Sequence, residues 1–300
     1  MNSFVLDFFK ANDVKYSENH PMSRLTTIRI GGTCDVAACP DSEEKLALVV
    51  RFLRKNKIRF KIIGKMSNIL PTDDPYRGVI VRTDGVKRLI ISGNEVYLSS
   101  GTTLRGVTGA LTSLGLSGYE ELVGIPGCVG GLVAGNAGAF SRETADLVKS
   151  VKVLRLDTLD ETTLFPSQLS FSYRDSVFKH VPYLILGATL ELKRADSEKI
   201  RLRIAECKAR RAETQPIDFP SLGSVFKRPL GVSAAELIDK CGLKGLRVGG
   251  AEVSHKHAGF IVNWGGATAK DVKHLICEIK KRVEERYSIA LTREIEFLGV

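Results

Sequence analysis

Between Gly124 and Gly138 the chain reads Gly-Ile-Pro-Gly-Cys-Val-Gly-Gly-Leu-Val-Ala-Gly-Asn-Ala-Gly, with six glycines and one proline. Glycine lets neighbouring main-chain N–H groups turn toward one point, and such a concave row of amides attracts anions. A pyrophosphate is the natural candidate, weighed against the plainer reading of a glycine-rich structural turn. A second polar turn, Gly64-Lys65-Met66-Ser67-Asn68, follows an apolar run and occupies the kind of strand end where ligands tend to sit. Farther along, Arg174, Ser224, the Lys227-Arg228 pair, Glu294 and Glu296 supply cations, a hydroxyl and carboxylates. Taken singly, these residues would most often be a salt bridge, a turn residue and solvated charges. Period-two alternation over Thr292–Leu298 puts Glu294 and Glu296 on one strand face, and the pattern does not separate them.

The elements that must position these residues follow from periodicity. Leu46, Val49, Val50 and Leu53 predict a helix over Asp41–Asn56 capped by Asp41, and Arg59–Ile63 predicts a strand running into the Gly64 turn. Strands are expected at Val79–Arg82, Glu95–Ser99, Val151–Leu156 and Tyr183–Leu192, with a helix carrying Leu104, Val107, Leu111 and Leu114. A basic helix spans Lys199–Arg211. Ser233-x-x-Glu236 predicts a capping box opening a short helix that stops at Gly242, and Thr268 with Asp271 predicts another ahead of the last helix. A terminal strand is expected at Leu291–Leu298. The fold class is α+β, and the absence of a GxGxxG turn in a strand-to-helix setting disfavours a Rossmann domain. By chain order the expected division is 1–75 and 76–195 as two parts of one cofactor-binding body, and 196–300 as a third unit.

With 300 residues, 43% hydrophobic and 26% charged, the composition is that of a folded globular protein. The net charge of +10 favours anionic partners. Nucleic acid is disfavoured, because Trp264 is the single tryptophan and no basic-aromatic signature accompanies the basic helix. The six cysteines lack a Cys-x-x-Cys pair, and nothing completes a metal site around His255 and His257, so no metal is expected. The opening MNSFVLDFFKANDVKY reads as a helix rather than a secretion signal, and the uncharged run Leu122–Ser141 is too rich in glycine for a membrane helix, reading instead as a loop region. A cytoplasmic location without membrane contact is expected.

Gly-Ile-Pro-Gly-x-Val-Gly-Gly followed by Gly-Asn-Ala-Gly-Ala closely resembles the flavin-binding segment of the UDP-N-acetylenolpyruvoylglucosamine reductases, within the wider vanillyl-alcohol-oxidase-like (PCMH-type) flavoproteins. The resemblance extends to Thr26–Gly32 (Thr-Thr-Ile-Arg-Ile-Gly-Gly), Phe171–Ser176 (Phe-Ser-Tyr-Arg-Asp-Ser), Gly223–Pro229 (Gly-Ser-Val-Phe-Lys-Arg-Pro), Lys256–Phe260 and Arg293–Ile295, in the family's order and over nearly the whole chain. It implies non-covalent FAD, hydride from NADPH, and reduction of an enolpyruvyl UDP-amino sugar to UDP-N-acetylmuramate for the cell wall. It also implies a two-part FAD-binding body with a C-terminal α+β substrate domain. Carried over residue by residue, it places FAD against Arg29, Gly31, Gly64, Ser67, Asn68, Gly124, Ile125, Pro126, Gly127, Gly130, Gly131, Asn136, Ala137 and Gly138. Catalysis falls to Arg174, Ser224 and Glu294, and substrate binding to Tyr173, Lys227 and Arg228.

Arg174 would stabilise charge developing on the substrate carboxylate, Ser224 would protonate the α-carbon, and Glu294 would assist protonation or hold the enol group. Lys227 is a candidate stabiliser of the serine alkoxide. Met66 stands where the family usually has the second glycine of Gly-x-Gly-Ser-Asn, so adjusted FAD binding is expected. Arg228 and the absence of a tyrosine-bearing closing loop resemble the family's shorter branch. Two other readings are an FAD oxidoreductase of the same superfamily with a different acceptor, and a flavin- or UDP-sugar-binding paralogue without turnover. A monomer is expected.

Overall fold

A computed structural model describes residues 3–229 and 231–299. The first two residues of the opening helix reading lie outside these; the helix itself runs Ser3–Ala11. The chain forms two compact units. One comprises Met1–Glu18, Val36–Gly64 and Gly78–Ala209; the other comprises Asn19–Asp35, Lys65–Arg77 and Arg210–Val300. Packing thus gathers segments that are distant in sequence, where the reading by chain order divides the molecule at residues 75 and 195.

In the first unit, a five-stranded antiparallel sheet runs in the order Glu161–Leu164, Val148–Arg155, Tyr183–Glu191, Glu95–Ser99, Leu89–Ser92. Val151, Val153, Leu98, Ala188 and Leu190 point from it into a core closed by Leu104, Val107 and Leu111 of the helix Leu104–Ser113. A four-stranded sheet orders Lys15–Pro21, Thr33–Cys39, Tyr76–Arg82 and Phe60–Ile63, the last two being parallel with Phe60 opposite Val79. A second core lies on it, where Phe9 meets Leu46, Val49, Val50 and Leu53 of the helix Glu43–Lys55. That helix starts one residue later than expected. Ser42, not Asp41, is its cap, accepting the Lys45 amide at 3.2 Å, because the Ser42 hydroxyl is the group within reach of that amide.

The second unit has a four-stranded antiparallel sheet, Ser221–Ser224, Phe260–Asn263, Ala251–Val253, Arg247–Val248, covered by the helix Ala269–Tyr287 through Val272, Leu275, Ile276, Ile279 and Val283. Thr268 and Asp271 form the expected capping box. Ser233 does not: it is the N-cap of Ala234–Lys240, but its side chain makes no capping hydrogen bond. The expected strand Leu291–Leu298 is broken. Arg293 makes an isolated bridge to Phe226, Ile295 is a bend, and only Glu296–Leu298 forms a strand, parallel to Ile69–Pro71. The architecture is α+β.

Candidate active site

In the first unit, the glycine-rich segment is not all loop. Exposed Gly124 and Pro126 lead into a short helix, Val129–Ala134. Two amides of this segment are already engaged, that of Gly130 among those expected to face a ligand: Val129 N–H donates to the Thr102 carbonyl at 2.8 Å and Gly130 N–H to the Ser100 carbonyl at 2.9 Å. Gly130 is a packing glycine, since a Cβ there would lie 3.1 Å from the Ser100 Cβ. Ile125 and Ala137 also donate inward, to the Leu122 and Leu132 carbonyls. Gly131 differs: it is exposed, and a Cβ on it would meet nothing within 4 Å. Gly64 ends the strand Phe60–Ile63 and approaches Cys128 in ordinary contact, a Cβ there lying 3.5 Å from the cysteine Cβ.

Asn136 is the organising residue that its glycine neighbours hide. It is 1% exposed at φ +39°, and its side-chain amide donates to Glu143 at 2.8 Å and to the Ser172 carbonyl at 2.9 Å, while its oxygen accepts the Ala145 amide at 2.9 Å. Ser172–Asp175 is a tight turn with reciprocal main-chain hydrogen bonds. Arg174 lies on it at φ +56°, a conformation costly for a residue with a Cβ. Its guanidinium donates to the Gly138 carbonyl at 2.9 Å and lies 5.2 Å from the Tyr173 ring centroid. Lys179 Nζ donates to the Arg174 carbonyl at 2.6 Å. His180 holds Asp175 at 3.0 Å and keeps its carboxyl below the usual range. Arg174, Tyr173, Asn136 and Gly138 therefore form one local structure. Glu143, Asp175 and Lys179 belong to it too, and their sequence signal was weak, because each acts through a partner distant in the chain or through the main chain.

The second unit collects the remaining predicted residues. Ser224 ends the strand Ser221–Ser224, half-buried, with its hydroxyl donating to the Phe226 carbonyl at 3.2 Å. Lys227 N–H donates to the Thr292 carbonyl at 2.9 Å and Glu294 N–H to the Val225 carbonyl at 2.8 Å, so the Gly223–Pro229 and Arg293–Ile295 blocks run side by side. Glu294 is half-buried and Glu296 exposed. Asn68 joins them, its side-chain amide donating to the Glu294 carbonyl at 3.2 Å and its own carbonyl accepting the Glu296 amide at 2.8 Å. Arg228 is exposed.

The Thr26–Gly32 block and the Lys65–Asn68 turn also meet here. Thr26 Oγ1 donates to the Met66 carbonyl at 3.0 Å, and Thr27 Oγ1 to the Ser221 carbonyl at 2.6 Å. Gly31, at φ +127°, sits so close to Pro71 that a Cβ would lie 2.8 Å from the proline Cβ. Arg29 is exposed at φ +58°. Met66 is 2% exposed at φ +44°, so it keeps the left-handed backbone that a glycine would supply and turns its side chain inward.

The first-unit segment suits an FAD dinucleotide in two respects: the exposed glycine main chain of Gly124 and Gly131 with half-buried Gly127 between them, and the buried Ser100 hydroxyl beside Gly130, which has no partner among the described residues. An unsatisfied buried hydroxyl is costly unless a ligand or water completes it. Among the described residues no group of His, Cys, Asp and Glu is assembled to hold a metal, and no helix is long and apolar enough to cross a membrane.

Comparison with known proteins adds the lineage. Residues 34–158 match an FAD binding domain, and residues 215–298 match the C-terminal domain of UDP-N-acetylenolpyruvoylglucosamine reductase. The reductase of that name from Carboxydothermus hydrogenoformans is 41% identical over 94% of this chain and 93% of its own length. The one from Syntrophomonas wolfei is 36% identical over 100% of this chain and 99% of its own. A crystal structure of the reductase from Thermus caldophilus superposes with a TM-score of 0.79 at 34% identity, covering 95% of this chain and 99% of that one. An FAD-binding flavoprotein of α+β fold, this chain belongs to the UDP-N-acetylenolpyruvoylglucosamine reductase family.

Proposed function

We propose that the protein reduces UDP-N-acetylglucosamine enolpyruvate to UDP-N-acetylmuramate with NADPH, in the synthesis of peptidoglycan precursors. The observation that carries this reading is the main-chain bond between Val225 and Glu294, which sets the serine and glutamate blocks side by side in a chain of this family. FAD, when bound by the Gly124–Gly138 segment, the Gly64–Asn68 turn, Arg29 and Gly31, carries the hydride between the two substrates.

The protein's own residues handle charge and the proton. A hydride arriving at the β-carbon of the enolpyruvyl double bond leaves an electron pair delocalised between the α-carbon and the carboxylate. The Arg174 guanidinium is a planar cation that matches a carboxylate in fork geometry, which suits it to that developing charge. Ser224 then gives its hydroxyl proton to the α-carbon, forming the C–H bond and leaving an alkoxide that solvent reprotonates. Serine is a weak acid, so the step relies on the strongly basic enolate and on supporting groups, with Lys227 read as a stabiliser and Glu294 as an assistant in protonation. Lys227, Arg228 and Tyr173 are read as substrate contacts, the two cations with the diphosphate or carboxylate. Residues 1–75 and 76–195 supply the FAD-binding parts and 196–300 the substrate-binding part. The protein works as a cytoplasmic monomer.

The test is an anaerobic spectrum of the purified protein. NADPH should bleach the flavin band, and UDP-N-acetylglucosamine enolpyruvate should restore it. Bleaching without recovery points to another acceptor, and a protein that takes up no flavin removes the assignment.

A further inference from the structure

The loop Ser254–Gly259 carries a histidine that the chemistry above does not use. It joins the strands Ala251–Val253 and Phe260–Asn263, and Phe260 is the register partner of Ser224. His257 Nδ1 accepts the Gly259 N–H at 3.1 Å, and its ring meets the Phe260 ring edge-on at 4.8 Å. The Gly259 carbonyl accepts the Val225 N–H at 2.9 Å, and the Val225 carbonyl accepts the Glu294 N–H at 2.8 Å. Consecutive hydrogen bonds therefore lead from the imidazole to the residue after Ser224 and on to Glu294. The loop closes directly on the ring, because a Cβ at Gly259 would lie 3.0 Å from His257 Cε1. Nδ1 can accept only in a neutral imidazole whose proton is on Nε2. Ser254 Oγ accepts the Lys256 N–H at 3.1 Å and the His257 N–H at 3.4 Å, which fixes the loop from its other end.

We infer that His257 is a positioning residue: its neutral imidazole holds the main chain of Gly259 on the N–H side, and through that residue the main-chain register that carries Ser224 and Glu294. This rests on reading Ser224 and Glu294 as the proton-handling pair. The imidazole acts on both through the Val225 main chain.

The test compares His257→Phe, which keeps a ring against Phe260 and removes the acceptor, with His257→Asn. The asparagine carbonyl can accept the N–H two residues on, as in an Asx-turn. His257→Ala, which also lacks an acceptor, is the second variant should phenylalanine not fold. In the flavin-loaded protein without substrate, amide hydrogen exchange at Gly259, Val225 and Glu294 should quicken by about 10-fold in His257→Phe, the loss of one net hydrogen bond. In His257→Asn it should return to within about 2-fold of the original rate. Reoxidation of the flavin by the enolpyruvyl substrate should slow by about 10-fold in His257→Phe and recover in His257→Asn, with reduction by NADPH and KM unchanged. Unaltered exchange at Val225 and Glu294 in the acceptor-free variants overturns the inference, whatever the enzyme does with substrate. So does a raised KM with normal exchange, which would make His257 a direct substrate ligand. If the unsubstituted protein is reduced by NADPH but not reoxidised by the enolpyruvyl sugar, the proposed function fails, and the exchange rates still decide whether the network exists.

Discussion

The Glu294 amide donates to the Val225 carbonyl at 2.8 Å, fastening the glutamate to the residue that follows Ser224. Two residues on, the Glu296 amide donates to the Asn68 carbonyl instead, and the bend at Ile295 lies between them. The two carboxylates that alternation puts on one face therefore belong to different surroundings, one half-buried and one exposed. Glu294→Gln should slow substrate-driven reoxidation of the flavin by ~100-fold, the lower range for a group assisting proton transfer. Glu296→Gln should leave it within about 2-fold. Stopped-flow absorbance on both variants checks this, and equal losses would remove the assignment.

Arg174 combines a left-handed backbone with a guanidinium bonded to the Gly138 carbonyl. Arg174→Lys keeps a positive charge and loses the planar fork. Reoxidation should fall by ~100-fold, comparable to loss of one donor at a developing oxyanion, while FAD content stays unchanged. A lysine variant as fast as the original would show that charge alone suffices there.

Met66 sets two effects against each other. Replacing it with glycine removes the cost of a left-handed backbone, about 1–2 kcal/mol, but also removes a side chain that is 2% exposed. Truncating a buried methionine costs about 2–5 kcal/mol, so burial wins and Met66→Gly should be less stable by about 1–3 kcal/mol. Denaturant unfolding reads the sign. A stabilised variant would mean the methionine contributes little packing.

Glu43 is a buried carboxylate in the first turn of its helix, accepting from Ser99 Oγ at 2.5 Å and Tyr97 Oη at 2.8 Å, with Lys152 Nζ at 3.4 Å. Burial and the adjacent carboxylate push the Tyr97 phenol well up, so the hydroxyl remains a donor throughout the working range. Glu43→Leu strands both hydroxyls, while the Lys152 ammonium keeps Glu161 at 3.2 Å, and should cost about 2–4 kcal/mol of stability in equilibrium unfolding. Loss of less than a few tenths would mean that water replaces the carboxylate.

Burial holds the His257 imidazole below its ordinary value of 6.5; a hydrogen bond to its own backbone works against this, and the nearby Lys244 charge adds to it. Lys244 is itself paired with Asp239 at 2.6 Å. Because the folded state favours the neutral ring, this contribution to stability is complete above about pH 6.5 and is lost as pH falls through the depressed value. Melting temperatures measured from about pH 8 down to about pH 5 should drop more steeply for the natural protein than for His257→Asn, which does not titrate there. Parallel curves would show that protonation of the ring is not linked to unfolding.

The parts of this molecule legible in its sequence are those fixed by local patterns. The helices over Leu104–Ser113 and Ala269–Tyr287 carry complete apolar stripes, and the Thr268 box forms as its residues dictate. The glycine-rich and Phe171–Ser176 blocks identify the family. What escaped depends on partners distant in the chain. A short helix forms inside the glycine run because Val129 and Gly130 find carbonyls at Thr102 and Ser100. The strand expected at Leu291–Leu298 breaks because its two halves bond to different segments, Val225 and Asn68. Asn136 reads as one more ligand-facing residue, whereas its side-chain hydrogen bonds turn inward, to Glu143, Ala145 and Ser172.

That inward turn of Asn136 has a thermodynamic corollary. One side chain spans the glycine-rich segment and the turn that presents Arg174, and the Arg174–Gly138 bond is a second strut between the same two pieces. Order imposed on either piece is then shared by the other, and free-energy coupling of this sort is reciprocal. Whatever factor a carboxylate-bearing ligand at Arg174 adds to the hold on the dinucleotide, the dinucleotide must add to the hold on that ligand. Cutting the struts would leave two sites that fill independently.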